Sequence, residues 1–447
     1  MQLEIATHPL LVKQLQIPVI DVLQEALESH RYALSINQDN TDALFNTSQV
    51  LTSIAEEYAK DDHRPDQDAL QPLEEALELQ SRCLSLQELE LEEALEYQNA
   101  LARQGASPLL DAESLSTMDA HDEDHDQDGG GGNGEDVPVV SAEEDKWFSI
   151  VEPVTKDTLI DTILAQLGTL TTLCGILSSS TTSAPSSSLA WVEEYSSKLL
   201  NEKLPSLAND ATAERLQEAA LTRAIFVSSL LEAGYRLSKI DAETYKRERD
   251  AAFHTAELKL EHSSAALIAN ANSLMAYSAA LGEADNPTLV SAPTSAPTSG
   301  PAARWSALSA ASTNLTAASK LPSLSAEETV QTHLLRGNCS LLQYQLGHPP
   351  SVYQPAVANG AQLLKNADIF YRNAAKLSRN GDPGTTAIAE FRAGVVQALQ
   401  QGHGVSGDVA AVAAARSLFN QSRGPDWVRG QIDDMVNEGL LPSTEAD

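Results

Sequence analysis

Small residues recur seven positions apart in several alanine-rich stretches of this 447-residue chain, and this recurrence constrains the fold more than any other feature. The first stretch runs from Ala26 through Ala33 to Leu51, and a second contains Ala76 and Cys83. The recurrence of one helical unit predicts stacked helices, in which each unit buries its apolar face on its neighbours. Such an architecture favours binding over catalysis.

The first stretch resembles the tetratricopeptide repeat, a unit of two antiparallel helices over about 34 residues. Ala26 and Ala33 match the small positions of a second helix in that family, and Leu44 matches the large position of the following first helix. Residues 38–40 (Gln-Asp-Asn) correspond to the turn between them. The resemblance implies an all-α fold, in which antiparallel helix pairs stack into a right-handed solenoid with long disordered insertions.

Later stretches carry corresponding positions. Gly337 stands at the family's glycine in a first helix, Tyr371 at an aromatic position of a second helix, and Pro322 at the closing turn. The residues that the resemblance assigns to packing between helices are Ala26, Ala33, Leu44, Ala76, Cys83, Ala310, Ala317, Pro322, Gly337, Ala367, Tyr371 and Ala374. An alanine-rich helical bundle without repeat geometry is the alternative.

The composition also favours helices. Aromatic residues are 5% of the chain, and no stretch sustains the alternation of apolar and polar residues that is typical of strands. The length would suit two ordinary domains, but a single array of repeats can use all of it because each repeat packs only on its neighbours.

The charge balance is strongly acidic: 29 Lys and Arg against 63 Asp and Glu give a net charge of -34. Such a field repels nucleic acid and anionic lipid, and it attracts basic protein surfaces. We therefore expect neither nucleic-acid nor membrane binding. The alternative interpretation is that the acidity serves solubility alone.

The three cysteines, Cys83, Cys174 and Cys339, lie far apart without a C-x-x-C motif. This pattern predicts reduced, buried thiols in a reducing compartment. The first residues lack the pattern of a signal peptide, and no apolar run approaches the roughly 18 residues of a membrane helix. We expect a cytoplasmic or nuclear protein.

Breaks in helical periodicity divide the chain into six parts. The predicted boundaries are 1–104 for N-terminal repeat-like helices, 105–147 for an acidic Gly-rich disordered insertion, 148–285 for central helical repeats, 286–303 for a Ser/Thr/Pro/Ala-rich linker, 304–400 for C-terminal repeat-like helices, and 401–447 for short C-terminal helices and a tail.

The insertion is the predicted partner-binding segment. It is too polar to bury the apolar surface that would offset its ordering entropy. Its layout is similar to that of acidic tetratricopeptide chaperones of histones or ribosomal proteins, which implies that it shields a basic client. The candidate binding residues are Asp119, Asp122, Glu123, Asp124, Asp126, Asp128, Glu135, Asp136, Glu143, Glu144 and Asp145.

Motifs for catalysis are weak. The strings at 129–134 and 402–407 match G-x-G-x-x-G, but neither has the preceding strand that a dinucleotide site needs. His121 and His125 have a chelating spacing, yet they lie in the polar insertion, where ordering the ligands is costly. We therefore predict no catalytic, cofactor-binding or metal-binding residue and no enzymatic activity.

Some members of the tetratricopeptide family bind the C-terminal tails of heat-shock chaperones through a clamp. That clamp uses a Lys and an Asn that follows it by four residues. Here the corresponding pairs are Phe45 with Gln49 and Leu334 with Asn338, so the lysines are missing. The sequence predicts a non-enzymatic chaperone or adaptor for a basic client, and not a tail clamp. The alternative is a generic protein-binding scaffold that does not depend on the acidic insertion.

Overall fold

A computed structural model describes residues 18–60, 64–103, 153–178, 186–209, 211–284, 300–379, 381–401 and 407–442. Within these residues all regular structure is helical and no strand occurs, as the composition predicted. The first eight helices are α1 Val19–Ile36, α2 Thr41–Ala59, α3 Asp66–Arg103, α4 Lys156–Leu177, α5 Ser186–Lys198, α6 Leu204–Ala208, α7 Ala213–Arg236 and α8 Ala242–Phe253. They are followed by α9 Ser264–Ala284, α10 Gly300–Ala318, α11 Ala326–Gln345, α12 Gln354–Ser378, α13 Pro383–Gln401, α14 Gly407–Arg423 and α15 Pro425–Asn437.

Side chains at the helix starts explain where several helices begin. The Asn40 side chain accepts a hydrogen bond from the Ala43 backbone nitrogen at 2.8 Å and so caps α2. At α11, the Ser325 hydroxyl accepts from the Glu328 backbone, while the Glu328 carboxylate accepts from the Ser325 backbone. Each cap satisfies backbone donors that have no partner within the helix.

Most helices pack chiefly on the next helix in the sequence, from α1 on α2 to α14 on α15. The exceptions lie around α4, which packs on α2 and α7 as well as on α3, and around α7, which also contacts α9. Three large groups of buried apolar side chains result, spanning α2 to α7, α8 to α11, and α11 to the segment after α15. Because α11 contributes to two of these groups, it joins the central and C-terminal cores.

Helix α4 is the one helix among the described residues that is long and apolar enough to cross a membrane. In the structure it is a core helix, because most of its apolar residues are buried against α2, α3 and α7. Two of its buried threonines are paired with α3: Thr169 Oγ1 accepts from Gln80 Nε2 at 3.0 Å, and Thr162 donates to Gln87 Oε1 at 2.8 Å. Threonines and other polar residues interrupt the apolar residues of α4, so the sequence contains no continuous apolar run of membrane length there.

A glycine permits a close contact between α11 and α12. A Cβ atom built on Gly337 would lie 2.4 Å from Cε1 of Tyr371, so the ring occupies the space that a side chain would need. Tyr371 is fully buried, and its hydroxyl donates to Asn338 Oδ1 at 2.8 Å. Two positions that the resemblance picked on separate helices are thus in direct contact.

Most of the other residues assigned to helix packing are buried. Pro322 is exposed in the turn between α10 and α11, and Ala317 is half-buried. The residues that the structure buries are Ala26, Leu44, Ala76, Cys83, Gly337, Ala367, Tyr371 and Ala374.

Two assigned alanines are exposed, and these assignments are corrected. Ala33 lies on the last turns of α1, which packs chiefly on α2, so this face has no covering helix among the described residues. Ala310 is exposed on α10, where Ala311 and Ala318 are the fully buried pair seven residues apart. The predicted register of α10 was therefore wrong by one residue.

One predicted boundary shifts: helix α10 begins at Gly300, inside the predicted 286–303 linker. Helix α5 lies within the region 148–285 that was predicted as helical repeats, and α14 and α15 lie within the region 401–447 that was predicted to hold short C-terminal helices. The acidic insertion at 105–147 lies outside the described residues, as do residues 285–299.

Replacing Gly337 with alanine tests the contact between α11 and α12. We expect Gly337→Ala to lower the free energy of unfolding by about 1–3 kcal/mol, because the new methyl group overlaps the Tyr371 ring and the buried ring has little room to move. Urea denaturation of the full chain measures the change.

Gly168→Ala is the matched control, since Gly168 lies on an exposed face of α4 and a Cβ atom placed there would meet no other atom within 4 Å. There alanine should be neutral or raise the free energy of unfolding by about 0.5–1 kcal/mol, through helix propensity alone. Equal stability of the two variants would contradict the proposed close approach.

Candidate functional site

Helix α3 carries an exposed acidic stripe. Its glutamates recur at helical spacing along one side, and residues 92–100 near its end are exposed on every face. Side chains three or four residues apart lie on the same face of a helix, so the carboxylates form a row. The acidic stripe consists of Glu74, Glu78, Glu88, Glu92 and Glu96, of which Glu88 is half-buried and the others are exposed.

An open groove of about 420 Å³ lies between this stripe and α5. Glu74, Glu78 and Ser81 of α3 line it, and Trp191 and Tyr195 of α5 lie across from them. The two aromatic rings stack with their centroids 5.2 Å apart. The groove therefore offers carboxylates and an aromatic surface together.

The two aromatic side chains are held differently. The Tyr195 hydroxyl donates to Oε1 of the buried Gln166 at 2.6 Å, and burial raises the pKa of Tyr195 above its ordinary value. Trp191 is 45% exposed, although it is the largest apolar side chain type. A fixed tyrosine thus supports a tryptophan that presents open apolar surface.

Arg82 also lines the groove, and both it and the nearby Lys203 contact acidic partners. Arg82 forms an ion pair with Asp39 at 2.7 Å, and Lys203 forms one with Glu88 at 2.5 Å. These pairs are exposed to solvent and stabilise the fold little. They leave Glu74 and Glu78 as the carboxylates on the groove wall.

The eleven acidic residues predicted to bind a partner, from Asp119 to Asp145, lie outside the described residues. The groove between α3 and α5 was not predicted. Its sequence signal is present, since the two aromatics are four residues apart in LAWVEEYSSKLL, but only the fold brings them beside α3.

The described residues contain no group of three or more His, Cys, Asp or Glu side chains placed to hold a metal ion. His254 Nδ1 lies 2.6 Å from the backbone oxygen of Asp250, a local contact within its own helix end. His333 is half-buried beside Phe370, and burial together with Arg336 lowers its pKa. Neither histidine forms a hydrogen bond or ion pair with a carboxylate in the structure.

The three cysteines are buried and unpaired with one another. Desolvation raises the pKa of Cys83 to about 11, and that of Cys174 and Cys339 to about 12. Because the thiolate is the reactive form, these thiols behave as small apolar side chains.

Asn338, the asparagine considered in the sequence analysis for a chaperone-tail clamp, forms contacts within the fold. Its amide oxygen accepts from Tyr371 and from Arg392, each at 2.8 Å, and its amide nitrogen donates to Glu438 at 3.1 Å. Arg392 in turn donates to both Glu438 oxygens, at 2.8 and 2.5 Å. The asparagine is thus occupied by internal partners.

Comparison of the chain with family models, with curated proteins and with solved structures gives no match.

The roles of the two aromatic residues in the groove can be separated. We expect Tyr195→Phe to lower the free energy of unfolding by about 1–3 kcal/mol, because it leaves a buried oxygen of Gln166 without its donor. Trp191→Ala, the control within the same groove, should cost about 1 kcal/mol or less because the side chain is half exposed. Thermal unfolding of both variants measures the difference, and a larger loss for Trp191→Ala would contradict it.

Proposed function

We propose that this protein is a non-enzymatic chaperone or adaptor that binds a basic client protein through the groove between α3 and α5. The observation that supports it most directly is the acidic stripe on α3 beside the exposed Trp191. Ribosomal proteins and histones are the client classes whose charge fits. The acidic insertion at 105–147 would add a second anionic surface to the same client.

The chemistry of the groove suits a Lys- or Arg-rich segment. Carboxylates in a row attract cations over a distance that depends on ionic strength, and they increase the rate of encounter. An indole face binds the guanidinium of arginine or the ammonium of lysine, and it also binds apolar side chains. Charge would therefore provide attraction, while the aromatic surface provides contact area.

The order of packing supports a repeat scaffold for this function. Consecutive helices are neighbours over most of the described residues, and the contact of Gly337 with Tyr371 joins two positions typical of the tetratricopeptide repeat. We infer a tetratricopeptide-like solenoid, in a cytoplasmic or nuclear protein. Arrays of this kind present extended surfaces for partner binding.

A generic scaffold is the second candidate function. Its support is that exposed ion pairs contribute only about 0–1 kcal/mol each to binding, so acidic side chains alone do not provide a high affinity for a partner. Such a scaffold would bind its partner through apolar surface, with little dependence on the acidic stripe or on salt.

Neutralising the stripe distinguishes the two candidates. The variant Glu74→Gln, Glu78→Gln, Glu92→Gln keeps side-chain size and removes three charges. We expect it to weaken binding of purified core histones, or of a purified basic ribosomal protein, about tenfold at low salt, since three exposed pairs at roughly 0.5 kcal/mol each combine to that factor. Fluorescence titration against salt concentration measures the affinity and its salt dependence.

The control carries the same charge change on other exposed glutamates, Glu28→Gln, Glu257→Gln and Glu261→Gln. It should change the affinity by less than about twofold, because dissolved salt screens the interaction of these distant charges with the client. Equal weakening by both variants would assign binding to overall charge alone. Absence of binding to either basic protein by the unaltered chain would refute the proposed client class.

A further inference from the structure

Helix α12 and the residue after it carry a net positive charge, whereas the chain as a whole is acidic. Between residues 365 and 379 there are four basic side chains and one acidic side chain, whereas acids outnumber bases by more than two to one in the whole sequence. The basic side chains recur at spacings of seven, four and three, which places them on one side of the helix. This basic stripe consists of Lys365, Arg372, Lys376 and Arg379, all exposed.

The basic stripe borders an open groove of about 590 Å³. Arg372, Lys376 and Arg379 form one wall, and Leu418 and Phe419 of α14 form the other. The floor is made of small residues from α12 and α13, Ala375, Ala393 and Gly394. The groove is therefore basic on one side, apolar on the other and shallow at the base.

Small side chains keep the floor low. At Gly394 a Cβ atom would lie 2.9 Å from Cε2 of Phe419, so a larger residue would displace the aromatic wall. Leu418 is 70% exposed, and Ile369 on the basic stripe is 44% exposed. Exposed apolar side chains that border a groove of one charge indicate an interaction surface.

The acidic side chains beside the groove do not cancel its charge. Arg372 pairs with Asp368 at 2.7 Å, and Arg379 approaches Glu390 at 3.9 Å. Both arginines remain more than half exposed, so each can contact a further carboxylate. With three bases against these two acids, the wall stays positive within an acidic chain.

We infer that this groove binds an acidic amphipathic helix of a partner protein. Carboxylates on one side of that helix would meet Arg372, Lys376 and Arg379, and its apolar side chains would pack on Leu418 and Phe419. The stripe spans 15 residues, or about 21 Å from the first to the last, so it matches a partner helix of about four turns. This site is separate from the groove on α3 and has the opposite charge preference, so it provides a second partner for an adaptor.

A labelled peptide of about 15 residues tests the inference, composed of Glu, Leu and Ala with the Glu and Leu residues on adjacent faces. Fluorescence anisotropy with the full chain measures its affinity. We expect the double variant Lys376→Glu, Arg379→Glu to weaken binding about tenfold or more, and Leu418→Ser to weaken it about threefold. Both changes are at exposed positions, so circular dichroism should show an unchanged fold.

The control for net charge is Lys198→Glu with Lys320→Glu, two exposed lysines on α5 and in the turn after α10. It makes the same change in total charge and should alter the affinity by less than about twofold. Equal losses in the two double variants, or tight binding by a peptide with the same composition in scrambled order, would overturn the inference.

Other occupants are excluded by the same measurements. A short single-stranded RNA that displaces the peptide at an equal or lower concentration would reassign the groove to phosphate and refute an acidic helix. Sedimentation of the chain alone tests for a second copy in the groove. Self-association that is abolished by Lys376→Glu with Arg379→Glu would refute the inference, because the groove would then bind another copy of the chain. Peptide binding to a chain that sediments as a monomer, without competition by RNA, supports it.

Discussion

The fold depends on close packing of each helix on its neighbours in sequence. Helices come close only where small residues, or a glycine opposite a ring, allow their backbones to approach. Gly337 and Tyr371 show this at α11 and α12, and Ala311 and Ala318 provide small residues on α10. This packing is mostly local in sequence, so most helices are stabilised by one or two neighbours, while α4 and α7 contact three or more helices.

Buried polar contacts add directional constraints that apolar packing does not provide. In the C-terminal part, Asn338, Tyr371, Arg392 and Glu438 connect α11, α12 and α13 with the end of α15. Farther toward the N-terminus, Thr169 of α4 bonds to Gln80 of α3 and lies 3.0 Å from Thr52 of α2. A shift of one helix by one turn would leave several of these groups buried without partners, which costs more than a lost apolar contact.

The sequence predicts the helices well and their contacts less well. The spacing of Ile160, Ile163 and Leu167 is that of one helical face, and all three residues are buried in α4, because an apolar face is a property of one helix. The register of α10 was off by one residue, since nearly every face of that helix carries an alanine and spacing alone cannot choose among them. The sequence did not place α5 individually within the predicted helical region 148–285, because this helix begins in a serine-rich stretch. The groove between α3 and α5 depends on a contact between two helices that are more than 80 residues apart in the sequence, which local patterns do not predict.

The two grooves pair an exposed apolar side chain with charges of a single sign, Trp191 with carboxylates on α3 and Leu418 with cations on α12. The acidic composition of the chain explains the carboxylates at the first groove only in part, and it does not explain the cations at the second groove. Four bases within 15 residues oppose the average charge of the chain, and a solubilising surface would not require them to share one face with Ile369. Salt should weaken attraction at both grooves, while the apolar contacts persist and select the partner. Opposite charge preferences on one scaffold would allow two different partners to bind without competing for the same surface, which is the physical requirement of an adaptor.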